Sequence, residues 1–246
     1  MKTGIRTLVC AALLLGVACG TERKNSRGDI LPDFEEYRLE AAADGYEVEL
    51  SYQRIENSEA SEALAIIDAA NYDHTFEEYA TSPRDVELSA QLLLEDYAGE
   101  EHGDGLCYRY VMEQVAMLVR DEQVLCYETF VELYTGGAHG GHSLHYECYD
   151  IASGQAYDFA YLAEGEWGTA VRELIYRRMM EVCDGVALLD NANEVYIPRS
   201  VKLTDRGIVL VYQPYEVAFY DAGIISVELS DEELAAVGAP LLWVAE

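Results

Sequence analysis

The clearest pattern in the chain is an alternation of apolar and polar residues between Tyr46 and Gln53. A period of two predicts a strand with one buried face and one solvent-exposed face. Asp44-Gly45 predicts a turn before this strand. The surrounding stretch, Phe34–Ile55, alternates in the same way in places.

Two helices are predicted next. Ser58 is a candidate N-cap for a helix whose apolar residues follow at helical spacing. A second helix is predicted to start at Ser82-Pro83, where a capping residue precedes proline at the first helical position. The polar, glycine-bearing segment Gly99–Gly105 ends this part of the chain.

A meander of strands is predicted from Leu106 to Asp150. Its strands are Leu106–Arg120, Val124–Leu133 and Ser143–Asp150, with a turn at Asp121-Glu122 between the first two. Consecutive strands joined by short turns are antiparallel.

The longest helix is predicted within Phe159–Cys183, with enough apolar area to cover one face of a sheet. The remaining predicted elements are the strands Tyr196–Leu203, Ile208–Tyr212 and Ile224–Leu229 and a helix over Asp231–Val237 capped by Ser230 or Asp231. Pro214 ends the second of these strands, because proline cannot donate to the ladder. The fold class is therefore α+β, with antiparallel sheets, helices packed on one face, and two associated subdomains.

The net charge of the chain limits the classes of partner that it can bind. The 246 residues include 46 acidic and 16 basic side chains, for a net charge of −30. Such a chain disfavours nucleic acid and bare anionic lipid, and it attracts cationic partners. The alternative is that dispersed acids only keep the protein soluble.

The N-terminus is predicted to be an export leader. Lys2 and Arg6 precede an apolar run that is too short to span a membrane. Small residues before Cys19 resemble a bacterial lipoprotein cleavage site, which predicts a signal peptide over 1–18, lipid attachment at Cys19 and a tether over 19–33. Ordinary secretory cleavage after Ala18 remains an alternative. No later segment is apolar enough to span a membrane, so we expect an exported protein that faces the periplasm or cell exterior and is held by its lipid anchor only. Loss of the leader would take the net charge to −32, because it carries two basic residues and no acid.

Four cysteines remain after the leader and the lipidated residue: Cys107, Cys126, Cys148 and Cys183. An exported compartment permits disulfides, and four cysteines allow three pairings, none of which the sequence selects. Buried free thiols are the alternative. No Cys-x-x-Cys spacing is present, which argues against a zinc or thioredoxin-type site.

A glycine-rich turn joins two of the predicted strands at Tyr134-Thr135-Gly136-Gly137-Ala138-His139-Gly140. Its glycines indicate unusual backbone conformations or a close approach. The turn is either a simple hairpin connection or a rigid loop presented to a partner. His139, His142 and His145 form a His-x-x-His-x-x-His pattern. Residues three apart point to opposite faces of a strand, so we predict no metal site.

No other motif indicates catalysis. The sequence contains no Gly-x-Ser-x-Gly elbow, P-loop or dinucleotide fingerprint. Asp184, Asp190 and Glu194 could hold calcium, but an acid-rich loop is usually only solvated. No cofactor is predicted.

Several motifs together resemble the RsiV-like C-terminal domain family. They are the glycine-rich turn, Tyr149-Asp150, Ser153-Gly154, and the run from Gly207-Ile208 through Tyr212-x-Pro214-Tyr215-Glu216-Val217-Ala218 to Tyr220 and Gly223. The resemblance covers roughly Leu106–Leu242 and assigns 106–246 to this domain. The preceding part, 34–105, resembles more weakly the companion domain found beside it in PdaC-type deacetylases.

The resemblance implies an extracytoplasmic binding module. The family includes the domain of a lysozyme-sensing anti-sigma factor and of peptidoglycan deacetylases whose metal-dependent chemistry lies in a separate domain, which we do not expect here. The expected function is therefore non-enzymatic binding or sensing of a peptidoglycan fragment or of a basic muramidase such as lysozyme. The candidate ligand-binding residues are Tyr134, Gly136, Gly137, His139, Tyr215 and Glu216, and no catalytic residue is predicted. The alternatives are a cell-wall hydrolase or deacetylase-like enzyme and a purely structural lipoprotein.

Overall fold

The computed structural model describes residues 6–8, 22–43, 45–99, 108–136, 138–185 and 187–244. It divides into two compact units built from interleaved segments. The first contains the described residues up to Ala116, with Thr129–His142 and Ile151–Gly154. The second contains Met117–Glu128, Ser143–Asp150 and the described residues from Gln155 onward. The boundary predicted between residues 105 and 106 lies in a stretch outside the described residues, so it stays a prediction.

The first unit is built on a long hairpin. Strands β2 (Phe34–Ala43) and β3 (Tyr46–Ile55) pair antiparallel over ten residues each. Alternate residues of β3 are buried from Tyr46 to Tyr52, which confirms the strand predicted from the period of two. The core of the first unit is formed by residues of the hairpin, of two helices and of the next strand: Leu39, Ala41, Tyr46, Val48, Leu50, Tyr52, Tyr72, Phe76, Ala90, Leu93, Leu94 and Met112.

Both helices of this unit begin later than predicted. Helix α1 spans Glu62–Phe76, and the Ser61 hydroxyl, not that of Ser58, accepts the capping hydrogen bond from the Leu64 N–H. Ser58 lies in a preceding 3-10 turn. Helix α2 spans Val86–Gly99, where the Asp85 carboxylate accepts from the Leu88 N–H. The predicted start at Ser82-Pro83 is wrong, because Asp85 supplies the capping oxygen three residues further on.

The large sheet contains six strands in chain order. They are β1 (Arg6–Leu8), β2, β3, β4 (Tyr108–Val119), β5 (Val124–Tyr134) and β6 (Gly141–Asp150). Strand β1 pairs with β2, and it falls inside the segment predicted to be a leader. Strands β3 and β4 are parallel, from Tyr46↔Tyr108 to Ser51↔Glu113. This parallel pairing was not predicted from the sequence. Helices α1 and α2 make it possible by providing the long crossover that parallel neighbours need.

The second unit packs two helices on a three-stranded sheet. Strands β7 (Ser200–Thr204), β8 (Gly207–Tyr212) and β9 (Ile225–Ser230) are antiparallel in that order. Helices α3 (Gly168–Val182) and α4 (Asp231–Ala236) share its core. Ser230 caps α4 in a capping box with Glu233, which decides between the two predicted caps. The predicted α+β class, with mostly antiparallel sheets, is confirmed.

Cys126 and Cys148 form a disulfide between β5 and β6. The bond lies in the core of the second unit, since both residues are at most 2% exposed. Cys183 is a free thiol. Cys107 and Cys19 lie outside the described residues.

The segment from residue 22 to residue 33 forms a turn rather than an extended strand. Lys24 pairs with Ile30 in an isolated bridge, the Asn25 side chain accepts from the backbone of Arg27 and Asp29, and Leu31 is buried. Whether residues 19–33 also act as a tether stays a prediction. Among the described residues, no helix combines the length and apolarity needed to cross a membrane.

Candidate functional site

The glycine-rich turn connects β5 and β6 in the first unit. Tyr134 ends β5, and Gly136 takes a left-handed conformation with φ of +85°. Gly137 lies outside the described residues. A Cβ at Gly140 would lie 2.9 Å from the Leu133 carbonyl oxygen, so this position requires glycine because the backbone passes too close.

The three histidines of this region do not form a metal centre. His139 is exposed, and its Nδ1 lies 3.0 Å from the Gly140 carbonyl oxygen. His142 and His145 lie on β6 at a spacing of three, which directs them to opposite faces. No group of three or more His, Cys, Asp or Glu side chains is placed to hold a metal ion in the part of the chain that the structure describes.

A second unusual local structure lies at Gln213–Glu216, which we call the tyrosine turn. The Glu216 N–H donates to the Gln213 carbonyl over 3.0 Å, which closes a four-residue turn. Pro214 occupies its second position and Tyr215 its third, with φ of +72°. This arrangement corresponds to a type II turn, whose third position normally requires glycine or asparagine. A tyrosine there is strained, and such strain is found preferentially at functional sites.

The tyrosine turn is held by side-chain hydrogen bonds within the second unit. The Gln213 amide pairs with both backbone groups of Leu144 on β6, donating to its carbonyl over 2.8 Å and accepting from its N–H over 3.0 Å. The Glu216 carboxylate accepts from the Gln213 N–H over 2.7 Å, so this candidate ligand-binding residue also has a structural role in the turn. The backbone of the turn is thus fixed at both ends. This prearrangement reduces the entropy lost when a ligand binds.

Aromatic side chains project from this rigid segment. Tyr215 is 61% exposed, and its ring lies 5.4 Å from that of Tyr220. Phe219, one residue before Tyr220, is 58% exposed. Val217 and Ala218 between them are buried and anchor the segment in the core. We call Tyr215, Phe219 and Tyr220 the aromatic patch.

Two tyrosines beside the tyrosine turn, Tyr196 and Tyr212, have raised pKa values. Burial raises the pKa of Tyr196, and the nearby Glu216 carboxylate raises it further. The pKa of Tyr212, which packs edge-on against Tyr196, is raised for the same two reasons and by Tyr196 itself. Both phenols therefore keep their protons at neutral pH.

The predicted site residues fall into two groups. Tyr134, Gly136 and His139 belong to the first unit, and Tyr215 and Glu216 belong to the second. Phe219 was not predicted from the sequence, although the spacing of Tyr215, Phe219 and Tyr220 around two small apolar residues could have indicated an exposed aromatic segment.

Comparison with known families adds one match. Residues 170–232 match the family model described as "Protein of unknown function (DUF3298)". The DUF3298 match includes most of α3, all of β7 to β9 and the tyrosine turn. Among curated proteins, no sequence matches this chain.

Two crystal structures of DUF3298 family proteins share the fold. The protein from Bacteroides fragilis NCTC 9343 superposes with a TM-score of 0.61 at 15% identity, covering 84% of this chain and 96% of its own. The protein from Pseudomonas aeruginosa PAO1 gives a TM-score of 0.58 at 16% identity, covering 84% of this chain and 94% of its own. The resemblance found in the sequence is thus supported as a DUF3298 likeness.

Proposed function

We propose that this protein is a non-enzymatic binding module of the cell envelope, and that the aromatic patch is part of its contact surface. The observation that carries the proposal is the strained, exposed Tyr215 on a turn fixed by Gln213 and Glu216. Tyrosine provides a large, rigid contact area with a polar end, which is why it is enriched at binding surfaces.

The charge of the protein favours a basic ligand. The net charge of −30 would speed the approach of a cationic protein and would make its binding sensitive to salt. On the first unit, Glu40, Glu49 and Glu113 line a shallow cavity of about 290 Å³ on the solvent-exposed face of the sheet, together with Arg38 and its ion-pair partner Glu36. The resemblance to lysozyme-sensing domains agrees with this choice, so a basic muramidase is the proposed partner and peptidoglycan is the alternative ligand.

Capture of lysozyme by the immobilised full-length protein tests this proposal. Binding is expected to be stronger at 20 mM than at 150 mM salt and to weaken at least about tenfold in Tyr215→Gly, as expected for loss of an interfacial tyrosine. Leu242→Ser removes another exposed apolar side chain outside the patch and serves as the matched control. If purified peptidoglycan is captured but lysozyme is not captured at either salt concentration, the proposal of a basic muramidase as the partner is wrong. If neither is captured, the binding role fails.

The attachment to the membrane is a separate part of the proposal. Cys19 is proposed to carry the lipid after the leader is removed. Cys19→Ala is expected to move the protein from the membrane fraction to the soluble fraction. Retention of the variant in the membrane fraction would contradict lipid anchoring.

A further inference from the structure

The outer edge of β2 belongs to the first unit and shares no residue with the aromatic patch. In the large sheet, β2 pairs with β3 on one side and with the three-residue strand β1 on the other. The Glu56 N–H donates to the Asp33 carbonyl, which sets the alternation of the β2–β3 ladder. By that alternation, the even-numbered residues of β2 direct their backbone N–H and C=O groups away from β3.

Strand β1 shows that this edge accepts an added strand. Its three residues pair antiparallel with Glu40–Ala42. They belong to the predicted leader, so removal of the leader would free this part of the edge. Further along the edge, the outward backbone groups of Glu36 and Arg38 have no hydrogen-bond partner within the described residues. After cleavage, β2 would therefore present a long row of unpaired backbone groups, which is a template for pairing with another chain.

One carboxylate beside this edge is not neutralised. Glu40 lies directly opposite Glu49 on β3, and like charges in this arrangement destabilise a sheet. Glu49 has Arg109 within 3.6 Å, but Glu40 has no ion-pair partner in the part of the chain that the structure describes. Glu36, by contrast, is paired with Arg38 over 2.9 Å. A cation placed next to Glu40 would therefore relieve a repulsion that the fold leaves in place.

The other face of β2 provides apolar contact. Side chains alternate along a strand, so Tyr37 and Leu39 lie on the face that packs against the core of the first unit. Leu39 is buried there, whereas Tyr37 is only partly buried. A strand added outside β2 would place its side chains alternately beside Tyr37 and beside the acidic residues. The edge thus favours a segment in which apolar and basic residues alternate.

We infer that the edge of β2 binds an extended segment of a basic partner protein by strand addition. The segment runs antiparallel to β2, as β1 does, and hydrogen-bonds to the outward backbone groups of Glu36, Arg38 and Glu40. Basic side chains lie opposite the two glutamates, and a neutral side chain lies opposite Arg38. The net charge of −30 favours this occupant over a second copy, because two such copies repel each other. The inference rests on the proposed removal of the leader and not on the aromatic patch.

NMR titration of the protein without residues 1–18 with the capped peptide acetyl-KVTVK-amide tests the inference. The peptide spans the edge from Glu40 to Glu36, which is about 14 Å in an extended strand. A dissociation constant on the order of 1 mM is expected at low salt. N-methylation of both lysines removes N–H groups that face β2 and should weaken binding at least about tenfold. N-methylation of both valines, whose N–H groups face away from β2, should change the dissociation constant by less than about twofold.

A pair of glutamate variants tests the charge. Glu40→Gln should weaken binding at least about threefold, because it removes the carboxylate that faces a lysine. Glu228→Gln is the matched control, since Glu228 is an exposed strand glutamate of the second unit, and it should leave binding unchanged. The full-length protein, in which β1 covers part of the edge, should bind more weakly. Leu8→Pro in the full-length protein should restore binding, because proline lacks the N–H that β1 directs at Glu40. It also provides an open edge in a chain of full length.

Circular dichroism confirms that each variant is folded. The inference is overturned if the peptide binds neither the shortened protein nor full-length Leu8→Pro, if the two methylated peptides bind alike, or if Glu40→Gln and Glu228→Gln behave alike. It is also overturned if sedimentation shows that this edge pairs two copies of the chain instead. Loss of lysozyme capture with peptide binding retained would remove the proposed muramidase partner and leave this inference in place.

Discussion

Arg120 ties three parts of the second unit together. Its guanidinium donates to both carboxylate oxygens of Asp231, over 2.7 and 3.1 Å, and to the Gly207 carbonyl over 3.2 Å. Its backbone N–H donates to Asp205 over 2.6 Å. Trp243, near the C-terminus, donates to the same Asp231 carboxylate over 3.0 Å. The side chain of Arg120 is only 11% exposed and that of Asp231 is 23% exposed.

We predict that Arg120→Met destabilises the protein by about 3 kcal/mol. Removing one partner of a buried ion pair typically costs about 3–5 kcal/mol, because the other charge is left unpaired. The lower end applies here, since Asp231 keeps the Trp243 hydrogen bond and lies at the start of α4, where a negative charge is favoured. The left-handed backbone at Arg120, Asp121 and Glu122 also loses the anchor that the guanidinium provides and keeps only the backbone hydrogen bond to Asp205.

Urea unfolding followed by tryptophan fluorescence measures this cost. A loss of about 3 kcal/mol corresponds to a melting temperature lower by roughly 6–12 °C in a chain of this size. Adding Asp231→Asn to Arg120→Met removes the unpaired charge and should recover part of the loss. The reasoning is refuted if Arg120→Met costs less than about 1 kcal/mol, or if the second substitution makes the loss larger instead of smaller.

Three further predictions concern stability. Replacing both Cys126 and Cys148 by alanine should cost about 3 kcal/mol, because the disulfide closes a loop of 22 residues; an unchanged urea midpoint would contradict this. Gly207→Ala should be at least about 2 kcal/mol more destabilising than Gly141→Ala. A Cβ at Gly207 would lie 2.1 Å from a carbonyl oxygen, whereas the nearest atom to a Cβ at Gly141 is 4.0 Å away; equal losses would count against the packing described. Burial raises the pKa of Asp68, so the folded state favours the protonated carboxyl. The stability that Asp68 contributes is therefore fully present at low pH and is lost as the pH rises through the folded-state pKa. Asp68→Asn, which keeps an oxygen to accept from the Ile55 N–H, should therefore be more stable than the natural protein at pH 7 and equal to it at pH 3; equal stability at both pH values would oppose this reading.

The strands were the most predictable part of the fold. The β3 alternation, the Asp121-Glu122 turn and the β7–β8 hairpin each depend on contacts between near neighbours in the chain. Helix starts were less predictable, because several capping residues compete within a few positions. Ser61 and Asp85 cap the helices instead of Ser58 and Ser82. All four are good capping residues, so local propensity alone does not distinguish between them.

Features that depend on distant contacts were not predictable. The parallel pairing of β3 with β4 and the choice of Cys126 and Cys148 as disulfide partners both arise from tertiary structure. The same is true of Tyr215. Pro214 predicted the end of β8, but the left-handed tyrosine is maintained by Gln213, whose amide contacts a strand about 70 positions away.

The most direct test of the binding proposal combines stability and binding in Tyr215→Gly. Glycine removes the left-handed strain, so the free energy of unfolding should stay the same or rise by about 1 kcal/mol. Capture of the basic muramidase should nevertheless fall at least about tenfold, because the exposed ring is lost. An equally stable or more stable variant that captures the muramidase as well as the natural protein does would contradict a binding role for the aromatic patch.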